Sequence, residues 1–151
     1  MLKKNLIKMV NLLKGQKVEK VISGGSNGSM LVFNFGENDD YCVFVYCVWR
    51  LEQKKKILSG WNESCDAKTG NLTLQTRALK NEIVKDVILT DFFDLKILFN
   101  SGKVLNVFCD VTAEYEPQSY DMNWCVCDIR NNICYSVNRS SVIVTDKYSG
   151  N

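Results

Sequence analysis

An α+β fold, mainly antiparallel β-sheet with one or two helices, follows from three features of the chain. Apolar and polar residues alternate over most of its length, the period of half-buried strands. The opening segment has helical spacing instead. The pattern then occurs a second time, so that the chain reads as two helix-plus-strands units, about 2–63 and about 68–140, in a single domain covering 1–151. At 151 residues, with 46% apolar and 24% charged side chains, the chain can bury a core without relying on metals or disulfides.

The first unit opens with Leu2, Leu6, Met9 and Leu13, spaced i, i+4, i+7, i+11, and Gly15 is a helix stop. A strand over 17–23 follows. Ser23, Gly24, Gly25, Ser26, Asn27, Gly28 and Ser29 then read as a connection. They lack the Lys-Ser/Thr and the helix that a phosphate-binding loop needs. MLVFNFG (30–36) and YCVFVYCVW (41–49) make a hairpin around an acidic turn, and WRLEQKKKIL (49–58) makes a second hairpin turning near Lys54 and Lys55.

In the second unit Asn71 is the expected N-cap of a shorter helix with Leu72, Thr76 and Leu79 on its apolar face. A strand over 83–90 follows, then a hairpin with its turn at Asn100-Ser101-Gly102. Leu95, Ile97, Phe99, Leu105, Val107 and Cys109 are expected inward, with Lys96, Asn100 and Asn106 outward. WCVCDIRNNICY (124–135) closes the unit, turning near Asn131 and Asn132. The alignment is gapless from Asn5 over Asn71 to Ile22 over Ile88, and it later sets Trp49 beside Trp124. Two such units are expected to bury their apolar faces on each other.

Several chemistries are excluded by residue type. There is no histidine, which removes Ser-His-Asp and Cys-His machinery and every histidine-containing zinc site. The seven cysteines lie mostly in apolar runs with no secretory signal before them, so reduced thiols and a cytoplasmic location are expected. Cys125 and Cys127, with Cys134 across a turn, lack the second ligand pair that zinc takes, and they read as small core residues. Cys65 is expected to be exposed, with Asp66 beside it opposing a thiolate. No cofactor and no metal are expected, and no run is apolar enough to span a bilayer. Net charge is only +2, although Lys3, Lys4, Lys8, Lys14, Lys17 and Lys20 face Glu19 alone among the first twenty residues. A nucleic-acid partner is therefore not expected.

What remains points to binding. Glu37, Asp39 and Asp40 form an acidic turn. The second unit also has an insertion over 110–123, DVTAEYEPQSYDMN, that the first lacks. It carries Glu114, Tyr115, Glu116, Tyr120 and Asp121, and no Lys or Arg. Tyrosines give rigid contact area, and carboxylates complement a basic partner. These eight residues are the candidate partner-binding set. Three rival readings stand beside this one: a small-ligand-binding domain with a pocket between the two units, an enzyme using Cys or carboxylates, and a nucleic-acid binder using Lys3 to Lys20, which salt-dependent binding to DNA or RNA would test.

Trp49-Arg50-Leu51, the segment Leu79 to Ile88, the pattern D-L-x-I-x-F-x-S-G-x-x-L-x-V-F from Asp94 to Phe108, and Asn123-Trp124 together resemble small bacterial immunity proteins. Those belong to contact-dependent growth inhibition and related polymorphic toxin systems. The resemblance implies a cytoplasmic inhibitor that binds a cognate toxin domain and occludes its active site or substrate surface. A monomer or weak dimer is expected. The resemblance implies no catalytic residues. Toxins of this kind are often nucleases with basic clefts, which the acidic segments would suit. The net charge of +2 departs from a nucleic-acid mimic.

Overall fold

The computed structural model describes residues 2–109, 122–138 and 141–145. Helix α1 (Leu2–Asn11) leads to strands β1 (Val18–Ile22), β2 (Leu31–Phe35), β3 (Tyr41–Val45), β4 (Trp49–Gln53) and β5 (Lys56–Gly60). Helix α2 (Asn71–Arg77) leads to β6 (Val84–Leu89), β7 (Leu95–Phe99), β8 (Val104–Val107), β9 (Met122–Asp128), β10 (Ile133–Asn138) and β11 (Ser141–Thr145). This is α+β, mostly antiparallel sheet. A 3-10 turn, Gly25–Asn27, sits in the glycine-rich connection.

The strands form two sheets, and neither half of the chain owns one. Sheet one runs β1-β2-β3-β9-β10-β11, and sheet two runs β5-β4-β8-β7-β6. The hairpin β4–β5 thus joins the sheet made by the second half, and β9–β10 joins the sheet made by the first. Face-to-face packing of two self-contained units, as expected from sequence, gives way to an exchange of hairpins. Periodicity fixes which side chains of a strand are buried. It does not fix which sheet the strand joins.

Corresponding backbone positions make corresponding bonds. Val18 N–H donates to the Glu82 carbonyl at 2.8 Å, and Val84 N–H to that of Gln16 at 2.9 Å. Gly15 N–H donates to Val84, and Asn81 N–H to Val18. Gly15 and Asn81 both sit in the left-handed region, at φ 80° and 74°. The β1–β2 and β6–β7 pairs share a bulge, between Val18 and Lys20 and between Val84 and Asp86. These bonds, with a bridge between Lys17 and Ile83, join the edge strands β1 and β6 of the two sheets.

One core cluster fills the space between the sheets. Phe33, Phe35, Trp49, Leu51, Leu95, Ile97, Phe99, Leu105 and Trp124 are all buried in it. Each such side chain contributes about 1.5–3 kcal/mol on burial. The expected inward positions of β7 and β8 are buried, apart from Cys109, which is half-buried. Asn106 departs from expectation. It lies on the outer face opposite Arg50 and Lys96, yet it is only 2% exposed. Two long neighbouring side chains are enough to cover a short one.

The helices span the open sides. α1 packs against β6 of sheet two and against β9 and β11 of sheet one, burying Leu6, Met9 and Val10, while Leu2 at its start is half exposed. α2 packs against β5 and β1. Asn71 does not cap it. The cap is Gly70, and the Asn71 side-chain amide donates to the Leu58 carbonyl of β5 at 2.9 Å. Thr76 Oγ1 lies 2.6 Å from Ser23 Oγ, and Arg77 donates to the Ser23 carbonyl, so α2 is tied to the end of β1.

Two cysteine expectations are corrected. Cys127 and Cys134 face each other across β9–β10, Cα atoms 4.1 Å apart, and are joined in a disulfide instead of being reduced. A hairpin that sets two thiols directly opposite makes that bond a local event. Cys65 is half-buried against the core, because its carbonyl accepts a hydrogen bond from Gly25 N–H and holds the loop inward.

Candidate interaction surface

The chain passes between sheets at one end of the molecule. After β3, residues 46–48 carry it to β4. After β8, Phe108 and Cys109 lead towards the insertion, and the chain returns at Met122. The two passages are bonded to each other. Tyr46 N–H donates to the Asn123 carbonyl and Phe108 N–H to that of Val48, both at 2.9 Å. The two equivalent tryptophans hold the adjoining loops: Trp49 Nε1 donates to the Ser29 carbonyl and Trp124 Nε1 to that of Phe93, each at 2.8 Å. The root of the insertion is clamped as well. Cys109 N–H donates to Asp94 Oδ1 at 2.7 Å, and its thiol lies 3.1 Å from the Phe93 carbonyl.

This end carries large exposed aromatic side chains. Tyr46 is 47% exposed, Trp61 45% and Phe92 75%. Trp61 also lines an open groove of about 420 Å³ on the outer face of sheet two, together with Val48, Arg50, Ile57 and Phe108 among others. The Arg50 guanidinium stacks over the Phe108 ring at 5.4 Å and its Nε lies 3.1 Å from Glu52 Oε2. That ion pair is half exposed, where such pairs add little to stability, so Arg50 can be recruited by a partner. Burial, and then the nearby Cys125 and Cys42 thiols, push the Tyr46 hydroxyl above its ordinary value. It therefore stays a neutral hydrogen-bond donor at physiological pH. Phe44 stacks on Tyr46 with nearly parallel rings.

The acidic turn lies elsewhere. Glu37 and Asp39 are exposed and Asp40 is half-buried, at the end of β3 opposite to Tyr46. Five strand residues, roughly 14 Å, separate that turn from the insertion's root. Asp40 is engaged locally, 3.7 Å from Arg130 Nε, while Arg130 also stacks on the Tyr41 ring and bonds its hydroxyl. Glu114, Tyr115, Glu116, Tyr120 and Asp121 lie outside the described residues. The structure thus brings Glu37, Asp39 and Asp40 together at one end and roots the insertion at the other. Reading from sequence missed Tyr46, Arg50, Trp61, Phe92 and Phe108 as surface contacts. Phe92 and Trp61 carry a signal: each is a large aromatic just outside an alternating run, next to Asp91 or Gly60.

Among the described residues no cluster of three or more His, Cys, Asp or Glu is arranged to hold a metal, and no helix is long and apolar enough to cross a membrane. Compared with protein families, curated proteins and solved structures, the chain has no match in any of the three.

Proposed function

We propose that this is an immunity-type protein that binds a cognate toxin domain in the cytoplasm and occludes its active site or substrate surface. The observation that carries the reading is the exposed Tyr46, Arg50, Trp61 and Phe92 at the root of the acidic, tyrosine-bearing insertion. Trp, Tyr and Arg are the residues in which interface hot spots are enriched. The groove lined by Arg50 and Trp61 offers a seat for a protruding partner side chain. The insertion adds Glu114, Glu116 and Asp121, whose charge would complement a basic cleft and speed encounter at low salt. Glu37 and Asp39, at the far end, contribute long-range steering in this reading. The packed interior favours a surface binder over a pocket between the halves.

The test is calorimetric titration with the toxin domain encoded next to this protein. Trp61→Ala and Arg50→Ala should each weaken the complex by roughly 30-fold, and Tyr115→Ala with Tyr120→Ala should weaken it further, all with unchanged thermal midpoints. Wild-type affinity in all of these variants, or substrate turnover that survives purification to homogeneity, defeats the reading.

A further inference from the structure

Cys127 has a cysteine directly opposite it on both sides. On β3 its partner is Cys42, and on β10 it is Cys134. Directly opposed residues project on the same face, so the three side chains form one straight row across the outer face of sheet one. Cys125 lies two positions along β9, and all four belong to one buried cluster with Val32, Phe44, Met122 and Ile129 packed around it. The row sits apart from the core between the sheets.

The pleat sets the spacing. At 4.1 Å between Cα atoms, Cys127 and Cys134 form the narrow, non-hydrogen-bonded kind of pair. Pairing alternates across a central strand, so Cys127 and Cys42 form the wide kind, with Cα atoms about 5.5 Å apart. That separation lies in the range that disulfides span. Either neighbour can therefore bond Cys127 without moving a strand.

We propose that Cys127 is the shared sulfur of an internal thiol–disulfide exchange site, with Cys42 as the incoming thiol and Cys134 as the leaving one. The Cys42 thiolate attacks Cys127 Sγ. The Cys42–Cys127 bond forms as the Cys127–Cys134 bond breaks, and the electron pair departs on Cys134 Sγ. Cys134 takes up one proton for the one that Cys42 gave to solvent, so no oxidant or reductant is consumed. The straight row sets attacking and leaving sulfurs on opposite sides of the central one, as displacement at sulfur requires.

The two bonds differ in what they hold. Cys127–Cys134 closes a single hairpin, seven residues apart. Cys42–Cys127 staples β3 to β9, which come from the two halves of the chain. Closing the longer loop restricts the unfolded chain more. The exchange converts a local clip into a lock between halves.

Peptide mapping tests this on the full-length protein with its disulfide intact. Samples are incubated from about pH 6 to about pH 9 with no added thiol or oxidant, quenched in acid, alkylated and digested without reduction. The Cys42–Cys127 peptide should accumulate with a matching amount of alkylated Cys134. Its initial rate should rise about tenfold per pH unit while the attacking thiol is mostly protonated. Oxidised Cys134→Ser protein should carry Cys42–Cys127 as its main bond, and Cys42→Ser should retain Cys127–Cys134 throughout. Wild-type protein that keeps only Cys127–Cys134 at the highest pH, with Cys42 fully alkylated after denaturation, overturns the proposal whatever the variants do.

Discussion

Gly24 sits at φ 68°, and a β-carbon there would overlap Thr73 Oγ1 on the buried side of α2. Gly24→Ala should cost about 3 kcal/mol, from left-handed strain plus overpacking, and lower the urea midpoint accordingly. Gly15 has the same sign of φ, but nothing stands within 4 Å of its would-be β-carbon. Asn81 holds the corresponding position in the second half with the same bond pattern. Gly15→Asn should therefore change stability by less than about 0.5 kcal/mol. Asp66 makes a pH prediction. Its carboxylate accepts from Thr69 N–H, Lys68 N–H and the Thr69 hydroxyl, in the loop that leads into α2. These bonds, Thr69 N–H first, hold its carboxyl below the ordinary 3.8. A lowered folded-state value stabilises above the unfolded value and is lost as pH falls through the folded one. Urea midpoints of wild type should exceed those of Asp66→Asn at neutral pH. The gap should start to close below about pH 4 and vanish once the lowered value is passed. Gly15 was legible as a helix stop, but the other two positions were not. Gly24 looks like any connecting glycine until Thr73 is seen against it, and Asp66 looks like a loop acid until its donors are in place.

The tight hairpin β4–β5 turns on Lys54 and Lys55 at φ 50° and 63°, left-handed at both central positions. Such turns favour Asn-Gly, and a residue with a branched or long side chain bears a penalty there. Replacing Lys54-Lys55 by Asn-Gly should stabilise the protein by about 1–2 kcal/mol and raise the thermal midpoint by roughly 3 °C or more. Scanning calorimetry would measure it, and a lowered midpoint would contradict the turn geometry. Elements were the most legible level of this chain. The helix around Leu6, Met9 and Leu13 and the hairpins flanking Lys54-Lys55, Asn100-Ser101-Gly102 and Asn131-Asn132 follow from period and turn chemistry, which act over a few residues. β11 was missed although SVIVT is a β-branched run, because it falls beyond the aligned repeat. Asn71 has the residue type of a cap. Its amide instead donates to the Leu58 carbonyl of β5.

Sheet membership is a property of the whole molecule and was not legible. The three-residue passage over 46–48 looks like any short loop, yet it carries the chain from one sheet to the other. The candidate surface was only half legible for the same reason. The insertion stands out in the sequence, but Trp61 and Phe92 come beside its root only once both passages meet at one end. The exchange of hairpins makes a direct prediction. Neither half can complete a sheet alone, since β3 needs β9 and β8 needs β4. Chains 1–65 and 66–151 made separately should lack the cooperative unfolding of the intact protein and regain it when mixed, as read by circular dichroism against urea. Independent folding of either piece would contradict the shared core. The hairpin β4–β5 makes its strand contacts with β8, and β3 makes its contact across the sheet with β9, so 46–48 is where the chain before and the chain after it part company. The β3–β9 contacts do not depend on which molecule supplies β3. If the passage over 46–48 opens, β1–β3 can cross to β9 of a second copy while β4–β5 stays on its own β8, and two chains close around each other with every native pairing kept. Concentration and the stiffness of three residues then decide between a self-contained monomer and an interlocked pair.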